Sequence, residues 1–181
     1  MLNKLMVIGS IAGMLAFAST GYSQALPTAT GHGAVQVGLG WTFARPDYGP
    51  KNIQGVTIFG DFDFTQHIGA EAEYHYVSLI TPTDLGENSF LAGPRFVLPH
   101  GRFSPYAKGL VGVGDLVIQD VYGTVFGSGA GRHFAYALGG GLDYKATSHI
   151  VARGDFEYQH WSYRDGLTPI TITIGAAYRF R

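Results

Sequence analysis

The sequence contains no cysteine, and this absence excludes a disulfide framework and any metal or redox site built on thiolates. Charge is also scarce, since Asp, Glu, Lys and Arg make up 14% of the 181 residues and the formal net charge is −1. A chain without a basic excess is not expected to bind nucleic acid as its main task. The mean hydropathy of +0.10 is too low for a bundle of membrane-spanning helices and high for an ordinary soluble domain.

The first 25 residues have the three parts of a secretory signal peptide. Lys4 gives a positive start, residues 5–19 form an apolar stretch, and Ser23 and Ala25 are the small residues that precede a cleavage site. A membrane anchor is disfavoured because the stretch is shorter than the roughly 18 residues of a spanning helix. We predict that residues 1–25 are removed and that residues 26–181 form a single domain.

After residue 25, apolar residues alternate with polar or small ones, which is the period-two pattern of β-strands. The alternation predicts strands near residues 35–43, 56–64, 68–76, 89–98, 134–145, 152–159 and 170–180, with a less regular one over residues 104–114. Short turns alternate with longer connections rich in Gly, Pro, Asp and Asn. Strands of about 10 residues joined in this way are typical of an all-β, eight-stranded antiparallel up-and-down transmembrane barrel.

One face of these strands is apolar and the other is polar. A soluble barrel would turn the apolar face inward around a ligand, whereas a membrane barrel turns it toward lipid, and alternation alone fits both. The aromatic residues favour lipid, because they fall near the strand ends with aliphatic residues such as Val37, Ile58, Leu138 and Ile172 between them. The predicted aromatic girdles comprise Trp41, Tyr76, Phe90 and Phe134 at one end, and Phe64, Phe96, Tyr144, Tyr178 and Phe180 at the other.

The polar face combines small residues with charges of both signs. Because an unpaired buried charge is heavily penalised, we expect these charges to pair inside a lumen that is only wide enough for side chains. The predicted interior charge network consists of Asp61, Asp63, Glu71, Glu73, Arg95, Lys108, Asp143, Lys145, Arg153, Asp155, Glu157 and Arg179. The seven His residues are scattered without a short metal-binding spacing, so the sequence predicts neither a metal site nor a cofactor.

The C-terminal segment carries a resemblance to a known family. Gly175, Tyr178 and Phe180 match the terminal-strand pattern of bacterial outer-membrane proteins, although Arg181 follows the aromatic residue that normally ends them. Residues 64–74 resemble the first periplasmic hairpin of that family, and residues 91–96 with 104–106 resemble the second. The whole mature chain is therefore similar to small outer-membrane β-barrel proteins of the OmpA and OmpX type.

This resemblance implies a monomer in the outer membrane, in contact with membrane lipid and lipopolysaccharide, without the periplasmic peptidoglycan-binding domain of OmpA. It implies that the terminal segment is recognised by the barrel-assembly machinery, that the interior conducts little or not at all, and that the outer loops serve surface interaction or envelope stability. The loop over residues 115–132 either extends a hairpin above the membrane or contacts a partner. On this interpretation the protein is not an enzyme.

Two alternatives remain at this point. His160 and Ser162 resemble the His-x-Ser of an outer-membrane lipid A deacylase, and residues two apart on a strand share a face. That family has Asn after the Ser and Glu on the last strand, whereas here Tyr163 follows and only Asp165 offers an acid. Otherwise both are polar residues at the membrane interface, flanking Trp161. The second alternative is a soluble lipocalin-like periplasmic binder.

Overall fold

The computed structural model describes residues 33–47, 51–81, 85–119, 125–163 and 166–180, and excludes the side chains of residues 85, 118, 119 and 125–130. The chain divides into two units, residues 1–31 and 32–181, and all described residues belong to the second. The predicted signal peptide, residues 1–25, lies outside the described residues.

Each strand is hydrogen-bonded antiparallel to the next, and the last strand pairs with the first, which closes the sheet into a barrel. This confirms the predicted eight-stranded up-and-down fold. The strands are β1 Ala34–Arg45, β2 Ile53–Asp63, β3 Ile68–Ile80, β4 Leu85–Val97, β5 Phe103–Gln119, β6 Val125–Lys145, β7 Ile150–Trp161 and β8 Ile170–Phe180. No helix in the described part of the chain is both long and apolar enough to cross a membrane.

The seam between β1 and β8 brings two glycines, Gly40 and Gly175, opposite each other. A Cβ at position 175 would lie 2.5 Å from the carbonyl oxygen of Leu39 and 2.7 Å from the Cα of Gly40. Only glycine allows this close backbone approach. The glycine of the C-terminal pattern is therefore also a packing requirement of barrel closure.

At one end of the barrel the connections β2–β3, β4–β5 and β6–β7 are short turns. In the first, the Thr65 hydroxyl accepts hydrogen bonds from the backbone N–H groups of His67 and Ile68, at 3.2 and 3.0 Å. Thr147 makes the same pair of bonds in the β6–β7 turn, at 3.2 and 2.9 Å. These side chains replace backbone hydrogen bonds where the strands end.

The opposite end is extended by the β5–β6 hairpin, whose strands contain 17 and 21 residues. A tilted strand crosses a bilayer with about 9–11 residues. Of the two interpretations of the loop at residues 115–132, hairpin extension is confirmed, because strand structure continues to Gln119 and resumes at Val125.

The apolar face of the sheet points outward. Val37, Ile58 and Ile172 are 48, 41 and 48% exposed, which is the reverse of what a soluble barrel with an apolar lumen requires. The lipocalin-like interpretation is therefore wrong. The division between faces is not absolute, since among the described residues three small apolar clusters lie inside, around Leu91, Ile53 and Phe59.

Candidate functional site

The inward-facing positions of the strands carry a dense set of buried polar side chains. Residues of the predicted charge network that are buried are Asp61, Asp63, Glu71, Glu73, Arg95, Lys108, Asp143, Arg153, Asp155 and Glu157. They come from β2 through β7, because alternation along each strand turns every second residue to the lumen. The structure thus brings into one space residues that lie far apart in the sequence.

Two arginines share three carboxylates in the first part of this network. Arg153 lies 2.6 Å from Asp61 Oδ2, 2.7 Å from Asp143 Oδ1 and 3.1 Å from Glu71 Oε2. Arg95 lies 2.5 Å from Asp143 Oδ2, 3.3 Å from Asp61 Oδ2 and 3.4 Å from Glu71 Oε2. Because the two arginines and their three partners belong to five different strands, the cluster links opposite walls of the barrel.

Lys108 is the centre of the second part. Its ammonium group lies 2.5 Å from Glu157 Oε1, 2.6 Å from Glu71 Oε1, 2.9 Å from Glu73 Oε2 and 3.1 Å from Asp155 Oδ1. One cation therefore faces four carboxylates from two strands, β3 and β7. Since Glu71 also contacts both arginines, it joins the two parts into a continuous network.

Aromatic rings support the two guanidinium groups. The Arg153 guanidinium carbon lies 4.1 Å from the centre of the Phe59 ring, and that of Arg95 lies 4.0 Å from the centre of the Tyr106 ring. Both distances suit a cation–π contact. The Tyr106 hydroxyl also donates a hydrogen bond to Asp155.

Glycines on neighbouring strands provide the space for these rings. A Cβ at Gly141 would lie 2.7 Å from the hydroxyl oxygen of Tyr106, and one at Gly38 would overlap the Phe59 ring. The structure shows that these two accommodate rings, which in turn lie against the arginines.

A row of hydroxyls ends at a buried histidine. Thr42 hydrogen bonds to Thr57 and, at 2.8 Å, to Thr173, and the Thr57 hydroxyl lies 2.6 Å from His75 Nδ1. The predicted charge network does not include His75. The signal that could have included it is the alternation Glu71, Glu73, His75, which places all three side chains on one face of β3.

Trp161 differs from the residues on either side of it. His160 and Ser162, which flank it, are expected at the membrane interface, but Trp161 is 1% exposed and lies inside the barrel, where its indole N–H donates to Gln159 Oε1 at 3.0 Å. The space is available because Gly114 faces the indole, and a Cβ there would lie 2.6 Å from the ring. The surrounding apolar cluster consists of Leu91, Leu110, Ala135 and Ala137.

Two residues of the predicted network lie at its edge. Lys145 and Arg179 are half-buried and line a cavity of about 220 Å³ near the short turns, together with Gln36 and Asp63. Arg179 lies 3.4 Å from Asp63 Oδ2. Lys145 makes no ion pair with any described residue, and its membership of the network stays a prediction. Because it is the last residue of β6, its side chain is only half-buried.

His160 and Ser162 lie on the outward side of β7 and just beyond it, on either side of the inward Trp161. The His160 ring packs on Tyr136 with 5.1 Å between ring centres. In the described ranges no hydrogen bond joins His160 to Ser162. Asp165, the acid that catalysis would require, lies outside the described residues.

A family model for the outer membrane protein beta-barrel domain matches residues 10–180 of the chain. The chain belongs to this family. It is accordingly a protein of the bacterial outer membrane, and the exposed apolar face of the barrel meets lipid. No curated protein sequence matches the chain significantly.

Solved outer-membrane barrels have the same fold. Ail of Yersinia pestis, in complex with the heparin analogue sucrose octasulfate, is 21% identical over 82% of this chain and 99% of its own, with a TM-score of 0.58. Neisserial surface protein A is 13% identical over 81 and 95% of the two chains, with a TM-score of 0.62. The N-terminal barrel of Pseudomonas aeruginosa OprF is 15% identical over 83 and 100%, with a TM-score of 0.54.

On the outer surface of this outer-membrane barrel, most predicted girdle residues are exposed, namely Trp41, Phe64, Phe90, Phe96 and Phe134. Tyr76 and Tyr144 are half-buried, and the Tyr144 ring packs on Phe103 with 5.1 Å between centres. Their arrangement as two girdles at the membrane interfaces stays a prediction.

The last strand of the barrel presents Tyr178 and Phe180 on its outward side, and their rings meet edge to face with centres 4.9 Å apart. Gly175 lies at the seam with β1. Recognition of this segment by the assembly machinery stays a prediction.

Proposed function

We propose that this outer-membrane barrel is a non-conducting, non-catalytic protein that acts through the surface its loops present outside the cell. The observation that carries the proposal is the ion network, in which Arg95, Lys108 and Arg153 each contact carboxylates from more than one strand. An eight-stranded barrel encloses little more than its own side chains. Salt bridges that cross such a lumen occupy the path that an ion would take.

The apolar cluster around Trp161 adds a second obstacle in series. An ion that passed the network would next meet buried Leu91, Leu110 and Trp161, where it would lose its hydration without gaining polar partners. Both layers support a closed lumen.

Conductance in planar lipid bilayers tests the closed lumen. We expect no stable single-channel steps from wild-type protein. We expect none from Lys145→Ala either, which changes only the half-buried lining of the cavity near the short turns. A variant with Lys108→Ala and Trp161→Ala, which alters both layers, serves as the comparison. Reproducible steps from the wild-type protein, absent from detergent-only controls, would contradict the proposal.

The β5–β6 hairpin is the surface element that the structure favours for contacts outside the cell, because its strands are longer than a bilayer crossing requires. An epitope inserted between Gln119 and Val125 is expected to be labelled by antibody on intact cells. The same epitope inserted after Ser148, in a short turn, is expected to be labelled only after permeabilisation. The reverse pattern would contradict the assigned orientation.

The polyanion in the Ail complex is not an expected partner of this chain. Residues 45–52, 79–88, 115–132 and 164–169, which comprise the longer connections and the adjoining strand ends, contain four basic residues, Arg45, Lys51, Arg132 and Arg164, against six acidic ones, Asp47, Asp84, Glu87, Asp115, Asp120 and Asp165. Of these acidic residues, Glu87 is buried. Sulfated chains are attracted by a positive surface. We therefore expect no retention on immobilised heparin at physiological salt, and retention that Arg132→Gln weakens would overturn this expectation.

The deacylase alternative is tested directly. We expect wild-type protein and Ser162→Ala to release equal background amounts of fatty acid from lipopolysaccharide, because His160 is engaged with Tyr136. Release that the substitution abolishes would show catalysis and overturn the proposal.

A further inference from the structure

The carboxylates of Glu73 and Glu157 and the imidazole of His75 converge at one point deep inside the barrel. His75 Nε2 lies 3.1 Å from Glu73 Oε1 and 3.3 Å from Glu157 Oε2. The three side chains are buried, and their donor atoms all lie within 4.8 Å of one another. We propose that this triad is a structural binding site for a divalent transition-metal ion of the zinc type.

The donor spacing fits such an ion. Ligands at about 2.0–2.1 Å from a tetrahedral zinc are separated from each other by about 3.3–3.4 Å, and the two contacts of His75 are 3.1 and 3.3 Å. One imidazole with two carboxylates is a donor set that zinc accepts. A water molecule would complete the coordination.

His75 Nε2 faces both carboxylates, but neither contact has the geometry of a hydrogen bond. Within the described ranges, His75 Nε2 and Glu73 Oε1 are buried atoms that have no hydrogen-bond partner, although they lie 3.1 Å apart. Buried polar atoms are normally satisfied. A metal ion between the donors would satisfy both atoms at once.

Lys108 does not occupy the position proposed for the metal ion. It takes the other oxygen of each carboxylate, at 2.9 Å from Glu73 Oε2 and 2.5 Å from Glu157 Oε1. The ammonium group and the proposed metal therefore lie on opposite sides of the same carboxylate pair. This leaves one oxygen of each carboxylate directed at His75.

Hydrogen bonds outside the triad hold its donors in place. Thr57 lies 2.6 Å from His75 Nδ1, which leaves Nε2 for the metal, and Gln159 donates to Glu157 Oε2 at 3.0 Å. Partners of this kind orient histidine and carboxylate ligands in metalloproteins. The Thr57 contact fits a neutral imidazole that donates from Nδ1, the tautomer that metal binding requires.

The charge balance of the network also favours a cation here. Its described ion pairs involve seven carboxylates, Asp61, Asp63, Glu71, Glu73, Asp143, Asp155 and Glu157, against four cationic side chains, Arg95, Lys108, Arg153 and Arg179, with His75 neutral as a metal ligand. A dication would offset most of this excess, and uncompensated charge is costly in a buried site. Short sequence spacings could not reveal the site, because its ligands come from β3 and β7.

The experiment uses untagged full-length protein, unfolded in urea with EDTA and refolded into detergent with or without Zn²⁺. We expect about one tightly held zinc per folded chain by mass spectrometry after dialysis, and a higher temperature for loss of the SDS-resistant band. His75→Gln and Glu73→Gln should abolish the bound zinc, whereas the exposed His100→Gln should retain it.

If the triad variants do not refold, the wild-type protein decides the question. Refolding with Co²⁺ should give the intense visible bands of a low-coordinate site with nitrogen and oxygen ligands. Folded wild-type protein that holds no zinc or cobalt, or an imidazole nitrogen NMR spectrum showing a doubly protonated His75, would overturn the proposal. Zinc retained in full by a folded His75→Gln variant would overturn it as well.

Discussion

Gly114 lies directly beneath the indole ring of Trp161, so that a Cβ at position 114 would stand 2.6 Å from the ring. The two residues belong to β5 and β7, which do not pair with each other. Because Gly114 has no side chain, the large indole of Trp161 fits inside the barrel. This relationship makes a cavity-filling substitution informative.

We expect Gly114→Val to lower the free energy of unfolding by about 1–3 kcal/mol, the usual cost of overpacking a well-packed interior. Urea unfolding in detergent, followed by tryptophan fluorescence and gel mobility, measures the change. Gly154→Val is the matched control, because a Cβ at Gly154 would meet no atom within 4 Å. In a Trp161→Ala background, Gly114→Val should cause little further loss of stability. An undiminished loss in that background would refute the assigned contact.

Lys108→Met should be the most damaging single substitution in the ion network. It removes the ammonium group that faces four buried carboxylates, and breaking a buried ion pair typically costs about 3–5 kcal/mol. The same urea titration applies. Lys145 lines the cavity near the short turns and makes no ion pair with a described residue. The free energy of unfolding of Lys145→Met should therefore stay within about 0.5 kcal/mol of the wild-type value. Equal effects of the two substitutions would show that burial of the network is not what makes Lys108 important.

Leu138→Arg tests the lipid-facing surface. Leu138 is 61% exposed, and an arginine at the middle of the bilayer destabilises a barrel by about 2–4 kcal/mol. Folding equilibria in phospholipid vesicles provide the measurement. Leu98→Arg, in the connection after β4, should cost only about 0–1 kcal/mol, as expected near an interface. A tolerated arginine at 138 would argue that this surface does not meet hydrocarbon.

Phe180→Ala separates assembly from stability. If the terminal aromatic is read by the assembly machinery, the amount of folded protein in outer membranes should fall severalfold while refolding of the purified chain into detergent changes little. Phe64→Ala removes an equally exposed aromatic from the end of β2 and should not reduce assembly. Parallel losses in cells and in vitro, or equal losses for both variants, would contradict a specific recognition role.

Much of the barrel could be predicted from local sequence pattern. Period-two alternation depends only on the geometry of an extended chain, so it identified the strands and placed Val37, Ile58 and Ile172 on one apolar face. The position of the aromatic residues near the strand ends then assigned that face to lipid. Turn residues act within a few positions, and Thr65 and Thr147 form the hydrogen bonds that close two of the short turns. The C-terminal pattern with its aromatic residues likewise indicated the family from the sequence alone.

The partners across the lumen depended on the tertiary structure. Alternation shows that Glu71, Lys108 and Arg153 face inward, but not which of them meet, because they lie on strands that are not neighbours in the sheet. Those contacts are set by the width of the closed barrel and by the stagger of its strands. The inward position of Trp161 opposite Gly114, and the convergence of His75 with Glu73 and Glu157, were decided in the same way. Sequence periodicity specifies the face of a strand on which a side chain lies, whereas only closure of the sheet brings side chains from distant strands within a few ångströms of each other.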